Sequence, residues 1–393
     1  YLGTLMFQMG YNGAAANILA RAVQCNSKNV DSLTNLGAAY YKEWDFEGSR
    51  DVWNLALEGL MKADEKDWPA IVGLLTNIGG IGVHAGDYAE AITYYKQALE
   101  IDAANPHTLA NLGLANLAIG NWKEGWQGYA HHLKLQTRRP RTYKGMTPWN
   151  GEPGKQVIIY GEQGVGDEIM FASMIPDLVK ISKRVIFDCH PRLVETFKRS
   201  FGIECYGTRK TDQCTWFPGC GADSVAAIGS LGERFRNSRE AFPGNSYLVP
   251  RTKPKRKAGK LRVGLSWRGG VKSTGDRFRS IDLEALVPLI KAFPDVDWVS
   301  LQYHPDSSRV VLEAREKWGI DLDHKPGVLE GVDYDATLDL VATLDLVICV
   351  PTTVLHAAGA LGIPCWVMVQ KEAAWRETGN CEGRGPDMPW YHP

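Results

Sequence analysis

The sequence predicts an α-helical solenoid followed by two α/β lobes. Three observations carry that reading. A short helical pattern recurs at near-constant spacing through the first third of the chain. From about residue 156 the pattern changes to short apolar runs alternating with amphipathic helices. That alternation halts at a basic, proline-rich stretch near residue 255 and then restarts. A chain of 393 residues has room for two or three domains. Its 44% hydrophobic and 23% charged content is that of a globular protein. The net charge of −1 argues against a bulk electrostatic grip on nucleic acid. Apolar runs such as Leu346-Val347-Ile348-Cys349-Val350 fall far short of the roughly 20 residues a membrane span needs, so no transmembrane segment is expected.

The repeat comes first. Gly86-Asp87-Tyr88-Ala89-Glu90-Ala91 opens a helical pattern that returns as Gly120-Asn121-Trp122-Lys123-Glu124-Gly125. Earlier copies begin at Gly10-Tyr11-Asn12-Gly13 and Trp44-Asp45-Phe46-Glu47-Gly48. The intervals are 34, 42 and 34 residues, one period with eight extra residues, which polarity places at 62–68. The preceding helix keeps the same beat in Leu36-Gly37, Ile78-Gly79 and Leu112-Gly113, and Asn105-Pro106 ends one helix and starts the next. This pattern resembles the tetratricopeptide repeat: paired helices, small residues where they cross, an aromatic after the turn. The resemblance covers about residues 1–136. A single repeat cannot bury its apolar face, whereas a stack can, and its concave side is a groove for a peptide. The alternative is a purely structural shoulder. Residues 137–155, with three prolines and three glycines, read as a connector.

The rest alternates. Strands are expected at 157–160, 185–188, 203–206, 262–267, 298–302, 346–350 and 365–369. Helices are expected at 168–181, 191–201, 283–292, 307–318, 334–343 and 353–361. This gives a first lobe at 156–250, a linker at 251–260 and a second lobe at 261–393. The linker holds six basic residues. No aromatics interleave, so a solvated connection fits better than nucleic-acid contact. Two such lobes place a ligand cleft between the carboxyl ends of their sheets. The eight cysteines contain no C-x-x-C, and read as free thiols of a reducing, cytoplasmic compartment. No basic-then-apolar leader opens the chain, which begins at Tyr1.

Three clusters could carry chemistry. Gly161-Glu162-Gln163-Gly164-Val165-Gly166-Asp167 follows the first strand and opens a helix. It is not the dinucleotide G-x-G-x-x-G. Its glycines would let a ligand approach the backbone. Asp167 is either a helix cap or a general base facing the cleft. Next, Pro351-Thr352-Thr353-Val354-Leu355-His356 ends a strand and starts a helix. Hydroxyls and free N–H groups there suit a diphosphate, while a plain capped helix with a core histidine is the alternative. Ala357, Ala358, Gly359 and Ala360 would pack closely on the sheet. Last, Ser266-Trp267-Arg268-Gly269-Gly270 leads to Lys272 and to Arg277-Phe278-Arg279-Ser280-Ile281. This basic loop either closes on phosphates or is solvated. No His, Cys, Asp or Glu cluster has metal-ligand spacing, so no metal or other cofactor is expected.

In order along the chain, Gly166-Asp167 entering a helix, Arg279-Ser280-Ile281 before a helix, and Thr352-Thr353-x-x-His356-x-Ala-Gly-Ala-Leu-Gly-x-Pro resemble the lipopolysaccharide heptosyltransferase-like family of GT-B glycosyltransferases. The architecture is also similar to protein O-GlcNAc transferase. The resemblance implies two Rossmann-like lobes and a nucleotide-sugar donor held by the second. It implies metal-independent transfer to a peptide, protein or glycan acceptor, with the repeats choosing acceptor or partner. It makes Asp167 the base toward the acceptor, with Glu162, Gln163, Gly164 and Gly166 forming the acceptor-side loop. Donor phosphates fall to Arg279, with Lys272 or Arg277 as substitutes, and to Thr352, Thr353, His356 and Gln302. One departure stands out: the family has Asp where this chain has Pro351, so one donor contact is missing. Relatives also continue past Trp390-Tyr391-His392-Pro393 with a closing helix. The alternative function is a non-catalytic adaptor with peptide-binding repeats and a degenerate nucleotide-binding domain.

Overall fold

The computed structural model describes residues 1–135, 143–209, 211, 214–254, 259–269, 279–329, 333–370, 375–378 and 388–391. The chain forms two compact units, Tyr1–Leu135 and Gln136–Pro393.

The first unit is a run of helix pairs. They are α1 (Leu2–Gln8) with α2 (Asn12–Cys25), α3 (Val30–Lys42) with α4 (Phe46–Lys62), α5 (Trp68–Ala85) with α6 (Tyr88–Ile101), and α7 (Pro106–Ala118) with α8 (Trp122–Tyr129). Asn29, Asp45, Asp67, Asp87 and Asn105 each accept the backbone N–H three residues on, so five of these helices start on a side-chain cap. Each pair crosses at a glycine. A Cβ at Gly3 would stand 2.6 Å from Leu19, at Gly37 2.3 Å from Trp53, at Gly79 2.6 Å from Tyr95, and at Gly113 2.5 Å from the backbone of Gly128 and Tyr129. The glycines, and Leu19, Trp53, Tyr95 and Tyr129 opposite them, all keep the 34, 42, 34 beat. The period of the sequence is therefore the period of the crossings, and Gly3 carries it into α1. The eight extra residues are mostly helix, which corrects the expected polar insertion. The helices α4 and α5, of 17 and 18 residues, outrun their counterparts α6 and α7, of 14 and 13. By length and composition α5 could cross a bilayer. In this unit it packs between α4 and α6, with Ile71, Leu74 and Ile78 buried in the repeat core.

The second unit holds two five-stranded parallel sheets. The first lobe runs β1 (Thr147–Pro148), β2 (Gln156–Tyr160), α9 (Val165–Ala172), α10 (Ile175–Ile181), β3 (Arg184–Asp188), α11 (Val194–Phe201), β4 (Glu204–Tyr206), β5 (Ser224–Ala227) and α12 (Gly232–Phe235). The second runs β6 (Arg262–Ser266), α13 (Leu283–Ala292), β7 (Asp297–Ser300), α14 (Ser307–Trp318), β8 (Asp323–His324), α15 (Pro326–Leu329), α16 (Asp335–Val341), β9 (Leu346–Cys349), α17 (Thr353–Leu361), β10 (Cys365–Val367) and α18 (Trp375–Thr378). Strand order is β1-β5-β2-β3-β4 in one sheet and β10-β9-β6-β7-β8 in the other. Counted from β2 and from β6, both read 3-2-1-4, the doubly wound order whose crevice opens where the winding reverses. Those reversals lie between β2 and β5 and between β6 and β9. Val157, Ile158 and Ile159 are fully buried, as a parallel strand covered on both faces requires.

The expected strands are present, but β5 and the two-residue strands β1 and β8 have no counterpart in the sequence reading. Ser224-Val225-Ala226-Ala227 carries too little bulk to announce a strand, yet it pairs with β2 along its length. The single helix expected at 168–181 begins earlier and divides at Ser173 and Met174, ahead of Pro176.

Candidate functional site

At both reversals a strand runs through a short loop into a helix, β2 into α9 and β9 into α17. These two helix starts meet. A Cβ at Gly166 would stand 2.7 Å from His356 Cδ2 and 3.5 Å from Thr353 Cα. Gly166 is therefore demanded by the approach of the two lobes. Gly161 is demanded by Glu168, since its Cβ would fall 1.8 Å from the Glu168 carboxylate. The space beside both glycines is filled by protein side chains, where the sequence suggested a ligand. Gly164 closes the turn, its N–H donating to Asp167 Oδ2 at 3.2 Å.

Glu168 organises the first-lobe side. Its carboxylate is fully buried, pairs with Arg209 Nε at 2.5 Å and accepts the His190 N–H at 2.8 Å. Arg209 also donates to the Gly161 carbonyl at 3.3 Å. One buried carboxylate thus ties together the carboxyl ends of β2, β3 and β4. Burial raises its pKa to about 8, opposed by the Arg209 charge and the His190 N–H. Glu162, on the loop, is close enough to raise Glu168 and Tyr160 further.

Across the junction the second lobe presents cations. Arg376 of α18 donates from Nε to Asp167 Oδ1 at 2.5 Å and from Nη2 to Gln163 Oε1 at 2.9 Å. Both partners of the pair are about four-fifths buried, with side-chain exposures of 20% and 19%. Arg279 donates from Nη2 to the Pro351 carbonyl at 2.8 Å, directly before the start of α17. Thr352 caps that helix, its hydroxyl accepting the Val354 N–H at 3.2 Å. His356 is buried one turn later, with Nδ1 3.0 Å from the Tyr391 hydroxyl. Burial pushes its pKa down to about 4; Asp167 pulls it up, and Arg376 and Arg279 push it further down. The imidazole is neutral at pH 7. Glu377, beside these groups, is raised chiefly by burial.

The structure thus brings together Gln163, Gly164, Gly166, Asp167, Arg279, Thr352, Thr353 and His356. It uses Gln302 otherwise. That amide is buried, accepts the N–H groups of Trp267 and Arg268 at 3.1 and 2.9 Å, and donates to the Arg268 carbonyl at 3.2 Å. Gln302 braces the end of β6. Gly359 is also re-read: its missing Cβ makes room for the Tyr391 ring, 2.2 Å away, rather than for the sheet. Lys272 and Arg277 lie outside the described residues. Sequence reasoning missed Arg376, Tyr391 and the inward role of Glu168. The first two lie beyond β10, where no repeat or periodic pattern points back to the cleft.

The TPR repeat profile matches residues 83–120. Among curated proteins, Protein FlbA of Caulobacter vibrioides is 28% identical over 99% of this chain and 73% of its own length. Among solved structures, a mutant O-GlcNAc transferase of Thermobaculum terrenum aligns over 92% of this chain and 80% of that one, with 14% identity and a TM-score of 0.33. YrrB, described as a TPR protein with an unusual peptide-binding site, aligns over 34% of this chain and 66% of its own, with 15% identity and a TM-score of 0.28. The overlays are loose, so the fold rests on the crossings and the two sheet orders. This chain joins tetratricopeptide repeats to a GT-B fold. In the GT-B unit the meeting of α9 and α17 is the junction of its two lobes, and the groups described above line it.

Proposed function

We propose that the GT-B unit is a metal-independent glycosyltransferase and that the repeats recognise a peptide or protein, as acceptor or partner. The observation that supports this best is the junction itself. It sets a carboxylate from one lobe against a helix start and two arginines from the other. In the reaction, Asp167 takes the proton of the acceptor hydroxyl. The hydroxyl oxygen bonds to the anomeric carbon of the donor sugar as the bond to the diphosphate oxygen breaks. The electron pair leaves with the nucleoside diphosphate, whose charge meets the α17 N-terminus, Arg279 and Arg376. Arg376 neutralises Asp167 in the free protein, and a bound diphosphate competes for the same guanidinium.

The repeats support the peptide reading. Asn35, Asn77 and Asn111 recur at intervals of 42 and 34 residues on α3, α5 and α7. Asn35 and Asn77 share one shallow hollow, and Asn77 and Asn111 another. An amide both donates and accepts, so such a row can follow a peptide backbone. The described cysteines are free, which fits a cytoplasmic setting. The adaptor reading has its own support in Pro351 and in the ion pair that occupies Asp167.

A thermal-shift panel of UDP, GDP, ADP and dTDP tests the reading. A ligand at 100 times its dissociation constant stabilises by about 2.7 kcal/mol. Thr352→Ala with Thr353→Ala should abolish most of that shift. If no nucleoside diphosphate shifts the protein, the transferase reading fails; a shift without transfer from any sugar donor favours the adaptor. Turnover that stops with EDTA and returns with Mg²⁺ or Mn²⁺ would overturn the metal-independent part.

A further inference from the structure

The Arg192 guanidinium packs on a ring but leaves two N–H groups without an acceptor among the described residues. Arg192 lies in the 3-10 turn Pro191–Leu193, just past the carboxyl end of β3. Its backbone is fixed from two sides. The N–H donates to His190 Nδ1 at 3.2 Å, and the carbonyl accepts the Tyr334 N–H of the second lobe at 3.1 Å. The guanidinium stands over the Tyr334 ring, Cζ 5.4 Å from the centroid. A ring face offsets charge but does not accept the in-plane N–H groups. Nε and Nη2 are buried, and neither has a hydrogen-bond partner among the described residues. Buried N–H groups without acceptors are rare, so these two call for a partner. Nε–H and one Nη2–H point the same way, a fork that matches two oxygens of one phosphate.

Arg192 stands at the carboxyl end of the first sheet and its carbonyl reaches the second lobe, so it lies where the two lobes meet.

We propose that Arg192 forms a phosphate subsite where the lobes meet, its guanidinium gripping two phosphate oxygens from the first-lobe side. The subsite rests on the transferase reading only for the substrate that brings the phosphate, which is either the donor diphosphate or a phosphate on the acceptor.

Isothermal titration with inorganic phosphate and pyrophosphate tests it on the full chain. Arg192→Gln should weaken pyrophosphate at least tenfold, and Arg192→Lys, which keeps the charge but not the fork, should recover part of the loss. Each titration is repeated with the nucleoside diphosphate that gives the largest thermal shift. Displacement of phosphate from the Arg192-dependent site assigns it to the donor. Undisturbed, Arg192-dependent phosphate binding assigns it to the acceptor. Unchanged affinity in Arg192→Gln, or no binding of either anion to the wild type, overturns the subsite. A lower melting temperature with unchanged affinity also overturns it, since Arg192 is then structural. If Arg192→Gln does not fold, Arg192→Lys decides alone: a loss of at least threefold supports the fork, and unchanged affinity refutes it. Should phosphate bind through Arg192 while no nucleoside diphosphate binds, the subsite stands and the transferase reading falls.

Discussion

His356 should make the GT-B unit acid-sensitive. Burial holds its pKa at about 4, against an ordinary 6.5. A histidine with a depressed folded pKa contributes stability above pH 6.5 and loses it as pH falls toward 4, because the unfolded chain takes up the proton first. That difference corresponds to about 2 kcal/mol at pH 5 and about 3 kcal/mol at pH 4. For a unit of this size, about 3 kcal/mol shifts the melting temperature by roughly 6–12 °C. The perturbation is His356→Gln, which keeps polarity and cannot titrate. It also loses the contact with Tyr391, but that cost does not vary with pH while the tyrosine stays protonated. The assay is the melting temperature of both proteins from pH 7.5 to pH 4. The wild type should fall further than the variant by the amount above, with most of the divergence below pH 6. Other acid-titrating groups are common to both proteins and cancel. Parallel curves, or a His356 ring signal that titrates near 6.5 by NMR, would refute the reasoning.

Other expectations follow from the same geometry. Arg376→Gln and Asp167→Asn, combined in a double-mutant cycle on stability, should show a coupling of about 1–2 kcal/mol, since both partners are mostly buried; a coupling near zero would reduce the contact to a surface pair. Glu168, raised by burial, favours its protonated form in the folded state, so the wild type should lose stability relative to Glu168→Gln as pH rises from 4.5 toward 8. A gap that widens in favour of the wild type over that range would contradict the sign. In the repeats, Gly113→Ala should destabilise by about 1–3 kcal/mol, because its Cβ would meet the α8 backbone at 2.5 Å. Gly59→Ala, with nothing within 4 Å of its Cβ, should be neutral or gain up to about 1 kcal/mol of helix propensity, and equal effects at the two sites would sink the crossing argument.

The sequence by itself determined the architecture. Helix crossings need small residues at fixed spacing, so the 34-residue beat was legible from Gly37, Gly79 and Gly113. Buried parallel strands need continuous apolar runs, so β2, β3 and β9 were legible too. It also marked the two helix starts, because Gly166-Asp167 and Thr352-Thr353 are local turn and cap chemistry. What it could not show was which distant groups share a space. Only the tertiary structure brought Gly166 against His356 and Arg376 onto Asp167, more than 180 residues away in the chain. It alone put the Glu168 carboxylate where a Gly161 side chain would stand, and left two N–H groups of Arg192 without an acceptor among the described residues. Periodicity records what each element does with its own neighbours. A charge pair, or a guanidinium without one, depends on which strand ends the sheet order sets side by side, and no local pattern encodes that.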